Sequence, residues 1–339
     1  MAGAGDPILI WGAGAIGGTI GAYWARAGHD VVFVDAAAEH VAAMNAGGLN
    51  IEGPVEQFTV RAPAFAPDRV KGRFDRIVLA VKAHHTEGAT RQLAPHLAED
   101  GYVLSAQNGL NELVIARIVG EKRTMGCFVN FGADYLGPGR VIYAGHGAVV
   151  VGEIDGTITP RVKAMFALLK EFEPDAVLTD NIWGYLWGKL GYGALLFATA
   201  LTNESIADAL ASRRHRAIFC RLAGEAMAVA RAKGIKPLGF NGYEPEAFFP
   251  GAPAERIEAS FDAMVRHNRA TAKSHSGIWR DLAVRKRRTE IDAQIAIIAE
   301  IGKQVGVRTP TVERLVTLIH EIEDGKRPMD WASLDALGA

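Results

Sequence analysis

The sequence is poor in cysteine: Cys127 and Cys220 are the only two in 339 residues. They lie far apart and fit no metal-ligand spacing, which excludes a disulfide-stapled scaffold and a cysteine-zinc site. Two small buried hydrophobes in a cytoplasmic protein are the expectation, and there is no signal-peptide pattern. Excess charge of one sign is also missing. The 37 Lys and Arg balance 38 Asp and Glu, for a formal net charge of −1. No global pull toward nucleic acid or an acidic membrane follows. Long apolar runs are absent too. The most apolar stretch, residues 191–201, falls well short of the ~20 residues a bilayer-spanning helix needs. Proline is limited to 14 residues and no Gly-X-Y period occurs, which excludes Pro/Gly-rich disorder and collagen.

What the chain has in excess is glycine, 38 residues, of which 24 fall within residues 1–156. That half must contain tight turns and close backbone approaches. Its apolar pattern alternates strand and helix. Residues 7–11 (PILIW) read as a buried parallel strand, 15–27 as a helix stopped by Gly28, and 30–35 (DVVFVD) as a second strand. A helix over 39–45 ends at Gly47-Gly48, and 49–60 reads as a hairpin. Strands follow at 76–82 and 102–107, with a helix between them reaching Leu97. Residues 123–152 read as a β-meander with strands at 125–131, 140–143 and 148–151. A helix at 162–172 and a short strand at 176–179 close this half. After Asp180 strand-like runs stop. Helical periods cover 182–201, 217–233, 255–268, 289–305 and 311–323, with a loop at 245–253. The spacing predicts an α/β domain over 1–180 and an all-α domain over 181–339.

Gly12-Ala13-Gly14-Ala15-Ile16-Gly17 fits G-x-G-x-x-G, following a strand and opening a helix, which is the context a Rossmann-type dinucleotide site requires. The first glycine makes the turn, the second admits a pyrophosphate to the backbone, and the third lets helix and strand pack closely. Free N–H groups at the helix start face the phosphates. Asp35 ends the second strand, where an acidic residue binds the ribose 2′-hydroxyl of NAD and repels a 2′-phosphate. No Arg or Lys lies in residues 36–53 to offset it. NAD(H) is therefore preferred, with NADP(H) the alternative.

With these marks the sequence resembles the ketopantoate reductase (2-dehydropantoate 2-reductase) family along nearly its whole length. The resemblance rests on GAGAIG, Val81-Lys82-Ala83, Gln107-Asn108-Gly109, Trp187-Gly188-Lys189-Leu190 and Arg288-Thr289-Glu290-Ile291-Asp292. It implies a Rossmann domain, a helical domain, a cleft between them, and a nicotinamide-dependent reduction of a 2-oxo acid. It also implies that Lys189 is the general acid, that Lys82 and Asn108 line the cofactor and substrate site, and that Glu290 reaches the cofactor. A homodimer is a further family expectation. Independent chemistry supports Lys189: hydride addition to a ketone creates an alkoxide, which needs a proton donor and positive charge nearby. An apolar helix makes a lysine proton easier to give.

The sequence also departs from the family. Where members carry two Asn residues one and two turns beyond the lysine, this chain has Gly193 and Phe197, and no Asn occurs from 190 to 202. The family's Asn and paired Ser before the R-x-T-E-I-D motif become Ser274, Ser276 and Gly277. A site that loses hydroxyl partners loses discrimination for a hydroxylated substrate. The expectation is an NAD(H)-linked enzyme that interconverts a 2-oxo acid and a 2-hydroxy acid other than ketopantoate and pantoate, with His275 and Ser276 as further substrate contacts. A genuine ketopantoate reductase is the alternative, and a non-catalytic dinucleotide-binding regulator the rival of another class. The basic runs 213–216 and 285–288 lack interleaved aromatics and read as solvated helix ends or a carboxylate-binding Arg, not a nucleic-acid surface. His84-His85, His146 and His267 form no metal pattern, so no metal is expected.

Overall fold

In the computed structural model, residues 6–271 and 274–338 are described. The chain forms two compact units, the first ending at Ile182 and the second beginning at Trp183.

The first unit is built on β1 (Ile8–Trp11), α1 (Ala15–Arg26), β2 (Val31–Val34), α2 (Ala38–Gly47), β3 (Leu49–Glu52), β4 (Phe58–Val60), β5 (Ala64–Phe65), β6 (Phe74–Leu79), α3 (Thr86–Leu93), β7 (Leu97–Ser105), α4 (Glu112–Val119), β8 (Thr124–Val129), β9 (Gly132–Gly137), β10 (Arg140–Gly145), β11 (Val149–Glu153), α5 (Pro160–Phe172) and β12 (Val177–Leu178). Its eight-stranded sheet runs β12-β11-β8-β7-β6-β1-β2-β5. The stretch from β5 to β8 is all parallel and reverses its winding between β1 and β6, where doubly wound sheets bind ligands. Strand alternation feeds two cores. Ile8 and Ile10 join one cluster with Ala22 and Trp24 of α1 and Met165 and Leu169 of α5. Leu9 and Trp11 join the opposite cluster with Leu93 of α3 and Ile115 of α4.

The β-meander expected over 123–152 is corrected by the structure. β8 and β11 pair antiparallel in the main sheet. β9 and β10 form a hairpin in a second, four-stranded sheet, β4-β3-β10-β9. Alternation fixes which face of a strand is apolar but not which sheet it joins. The Pro138-Gly139 turn joins the two strands of this hairpin, with Gly139 at φ +70°.

The second unit contains α6 (Ile182–Thr199), α7 (Ile206–Ala211), α8 (Arg216–Ala232), α9 (Ala254–Ala270), α10 (Gly277–Trp279), α11 (Ile297–Val305), α12 (Pro310–Glu323) and α13 (Trp331–Asp335). The helix expected over 289–305 is regular α-helix only from Ile297; residues Asp292–Ala296 are π-helical. A second π segment, Arg280–Val284, continues α10. α8 buries Phe219, Leu222, Ala223, Met227 and Ala230 and packs against α11 and α12. α6 lies close against the loop that follows α8, where the Leu238 N–H donates to the Gly184 carbonyl at 2.8 Å. A Cβ on Gly188 would sit 1.8 Å from the Leu238 carbonyl oxygen, so only glycine fits there.

Candidate active site

In the first unit the carboxyl ends of β1, β2, β6 and β7 carry the expected residues together. Gly12 adopts φ +100°, and a Cβ there would meet the Val81 nitrogen at 2.8 Å. A Cβ on Gly17 would lie 2.1 Å from the Gly12 carbonyl oxygen and 2.9 Å from the Ala80 methyl. These two glycines are therefore fixed by packing. Gly14 is the opposite case: a Cβ would meet nothing within 4 Å. It forms the N-cap of α1 with no side-chain cap bond, and Gly14, Ala15 and Ile16 are half-buried while Ala13 is buried. An open glycine over a helix N-terminus fits a pyrophosphate, since backbone and dipole both favour an anion there.

Asp35 is tied into this turn. Its Oδ2 accepts from the Ala13 N–H at 3.0 Å and its Oδ1 from the Ala37 N–H at 2.9 Å. The carboxylate is half-buried and keeps acceptor sites beyond those two bonds, as a ribose hydroxyl pair requires.

Lys82 and Asn108 are exposed at the ends of β6 and β7, which are neighbours in the sheet. A buried side-chain chain links the two loops. Gln107 Nε2 donates to the Val81 carbonyl and to Thr86 Oγ1, both at 2.8 Å. Thr86 Oγ1 donates to Asn111 Oδ1 at 2.8 Å, and Asn111 Nδ2 donates to the Asn108 carbonyl at 2.6 Å. Sequence reasoning did not find Thr86 or Asn111; each is an ordinary polar residue until the sheet sets β6 beside β7. It also missed His40, 1% exposed. His40 Nδ1 accepts from the Gly139 N–H at 2.9 Å, so the ring proton sits on Nε2, which donates to the Ala13 carbonyl at 2.9 Å. His40 thereby ties the glycine turn to the β9–β10 hairpin.

In the second unit Lys189 lies on α6. Most of the helix is buried, but Tyr185, Lys189, Gly193 and Leu196 are half-buried and share one stripe at helical spacing. A Cβ on Gly193 would meet nothing within 4 Å. Phe197 is corrected: at 1% exposure it belongs to the core, and Leu196 holds the accessible position of that turn. The physical reason is the 3.6-residue period: each four-residue step overshoots a turn by about 40°, and from Tyr185 through Lys189 and Gly193 to Phe197 the overshoot adds up until the side chain faces the packed side.

Ser276, a proposed substrate contact, caps α10. Its Oγ accepts from the Trp279 N–H at 3.1 Å. The His275 ring lies 4.1 Å from the Trp279 ring, and its Nε2 is 3.2 Å from the Asn203 carbonyl oxygen. Asn203 was missed. Its amide accepts from Trp279 Nε1 at 3.3 Å and donates to the Met329 carbonyl at 2.7 Å, which fastens this loop. Glu290 is half-buried at the start of a helical segment, where the Gln294 N–H donates to its carbonyl. The preceding Thr289 is anchored through its N–H and hydroxyl to Glu323 Oε1 at 2.7 and 2.8 Å.

The basic runs are largely ion-paired. Arg285 and Arg287 meet Asp281, Arg288 meets Glu323 and Asp324, and Arg214 meets Asp335. Among the described residues no group of three or more His, Cys, Asp or Glu side chains is placed to hold a metal ion. No helix among them is long and apolar enough to cross a membrane.

Two family models match in tandem, ketopantoate reductase PanE/ApbA over residues 8–156 and its C-terminal counterpart over 181–323. The chain belongs to the ketopantoate reductase family. It is accordingly an NAD(P)-dependent oxidoreductase acting on CH–OH groups. A 2-dehydropantoate 2-reductase of Mesorhizobium japonicum is 28% identical over 342 residues, covering 93% of this chain and 97% of that one. The crystal structure of a PanE/ApbA family ketopantoate reductase from Ralstonia eutropha is 28% identical with a TM-score of 0.78, covering 94% and 99%. D-mandelate dehydrogenase bound to NADH and anilino(oxo)acetate shares the fold, with a TM-score of 0.79 at 23% identity, covering 94% and 99%.

Proposed function

We propose that this ketopantoate reductase family member interconverts a 2-oxo acid and a 2-hydroxy acid with NAD(H), and that its substrate is bulkier or less hydroxylated than ketopantoate. The observation that carries the substrate reading is the stripe on α6. In the turns beyond Lys189 it offers Gly193 and Leu196, which supply space and apolar surface but no side-chain hydrogen bond, and Tyr185 lies one turn before the lysine. Asp35 carries the cofactor reading. A carboxylate pinned by Ala13 and Ala37 suits ribose hydroxyls and repels a 2′-phosphate.

The nicotinamide cofactor supplies the hydride. Gly12 to Gly17 and Asp35 would hold its phosphates and ribose, Lys82 and Asn108 would lie near its reactive end, and Glu290 would be a further cofactor contact. Lys189 gives a proton to the oxygen that becomes the alcohol, and takes it back in the oxidising direction. His275 and Ser276 shape the substrate side. A homodimer in the cytoplasm with a small-molecule substrate completes the reading. The relatives named 2-dehydropantoate 2-reductase favour a second reading, that ketopantoate itself is the substrate.

The deciding experiment measures kcat/KM with NADH and NADPH over ketopantoate and a panel of alkyl and aryl 2-oxo acids. The expected result is at least about tenfold preference for NADH, and an alkyl or aryl acid ahead of ketopantoate; ~1.4 kcal/mol of differential binding gives that ratio. Selective ketopantoate turnover would overturn the substrate reading, and faster NADPH turnover the cofactor reading. Lys189→Met should lower kcat by about 10²–10⁴ with NADH affinity kept, the usual worth of one positioned proton donor.

A further inference from the structure

The second unit holds a cavity of about 460 Å³ between the segment that ends the Arg280–Val284 π-helix and the chain beyond α12. We infer that this cavity is a binding site for a small organic anion, with a carboxylate or phosphate head and a short apolar tail. Three cations face it, Lys286 and Arg287 from one wall and Arg327 from the other. Its carboxylate, Glu323, is already engaged by Thr289, His320 and Arg288. Both guanidinium groups are held in place from behind. Arg287 donates through Nε to Asp281 Oδ1 at 3.0 Å, and Arg327 through Nε to Glu321 Oε2 at 2.5 Å. A fork fixed on one edge presents its remaining N–H groups in a set direction.

Lys286 is the unusual member. It has no ion pair among the described residues, while the arginines on either side of it do. Its backbone is left-handed at φ +50°, a conformation shared among the described non-glycine residues only by Asn241. Glycine fills such a position without steric cost, whereas a lysine there is strained. A strained residue that sets an uncompensated ammonium on a cavity wall points to a ligand. Apart from Asn203, whose amide is engaged by Trp279 and the Met329 carbonyl, the rest of the lining, including Leu282, Ile322 and Met329, carries no polar side chain and takes a tail rather than a second charge. Every lining residue belongs to the second unit, so the site does not depend on the reading of Lys189 or Glu290.

The test is isothermal titration of the full-length protein with hexyl phosphate and hexanoate, with hexanol and inorganic phosphate as controls. One saturable site is expected for at least one of the tailed anions, at least about tenfold tighter than for either control. Lys286→Gly and Arg327→Gln should each weaken it about tenfold or more, while NADH binding stays unchanged. Lys286→Gly suits the φ of that position and removes no ion pair among the described residues, unchanged NADH binding reports that the variant is folded, and Arg327→Gln checks the opposite wall. Absence of saturable binding, equal binding of hexanol, or undiminished binding in both variants would overturn the site. The stronger of the two tailed probes identifies the head group.

Discussion

Gly17 and Gly193 both lie inside helices, yet a methyl group added to each meets opposite surroundings. At Gly17 it would fall 2.1 Å from the Gly12 carbonyl oxygen, at Gly193 in open space. Helix propensity alone favours alanine over glycine at either position by about 1 kcal/mol. Gly193→Ala should therefore raise the unfolding free energy by about 0.5–1 kcal/mol. Gly17→Ala should lower it by about 1–3 kcal/mol, because overpacking against a backbone oxygen has nowhere to relax. Urea melts of the two variants check both signs. The pair separates the two uses of glycine in this chain, close approach and vacant space. The fingerprint was legible in the sequence because strand, glycines and helix lie within one short segment. The role proposed for Gly193 came only from the family resemblance, while the open space at its Cβ position is seen only in the structure. Phe197 was misplaced because four residues along a helix is slightly more than one turn, and the drift carries it into the core.

At the scale of elements, chemistry that joins segments distant in sequence was the part that could not be read. Thr86, Gln107 and Asn111 become one chain of hydrogen bonds only when β6 and β7 pair, and His40 joins Ala13 to Gly139 only when the β9–β10 hairpin is in place. The same holds for the clamp between α12 and the segment before α11. His320 Nε2 lies 2.9 Å from Asp292 Oδ1, and its Nδ1 lies 2.9 Å from Glu323 Oε2. Arg288 and Asp324 complete the charged surroundings. Burial opposes the charge on His320, but hydrogen bonds to Glu323 and Asp292 and their negative charges outweigh it, so its pKa is raised. Burial likewise opposes charge on Glu323, and the Thr289 N–H together with His320 and the Thr289 hydroxyl holds its pKa below the usual value. The signs follow by linkage. The His320 contribution is complete below about pH 6.5, its unfolded pKa, and is lost as pH rises through the higher folded value. The Glu323 contribution is complete above about pH 4.5 and is lost as pH falls through its lower folded value. His320→Gln should thus lower Tm most near pH 6, and the gap to wild type should narrow toward pH 9. The effect is small: a partly exposed pair is worth up to ~1 kcal/mol, and that moves Tm by about 2–4 °C in domains of this size. A gap that stays constant across the range would show that His320 acts by packing and not by charge.

At the scale of the whole molecule, the two units have cores of different kinds. The sheet of the first is covered by two apolar clusters drawn entirely from residues 8–176. The second is held by helix packing around α8, α11 and α12. The change of texture after Asp180 was plain in the sequence because strands and helices bury apolar residues with different periods. A ligand that binds only the folded form stabilises what it binds by RT ln(1 + [L]/Kd), about 2.7 kcal/mol at 100 times Kd. The proposed NADH contacts lie mostly in the first unit, with Glu290 as the contribution of the second. Hydrogen exchange of the full chain with and without NADH at that excess reads the consequence unit by unit. Core amides of β1, β6 and β7 should slow by up to about 100-fold, the whole of the linkage factor. Core amides of α8 and α12 should slow less, and that smaller protection should vanish in Glu290→Ala while the first unit keeps its own. Equal protection in both units that survives Glu290→Ala would mean that they open as one cooperative body and that Glu290 is not the link. Protection confined to the second unit would remove the cofactor from the glycine turn altogether.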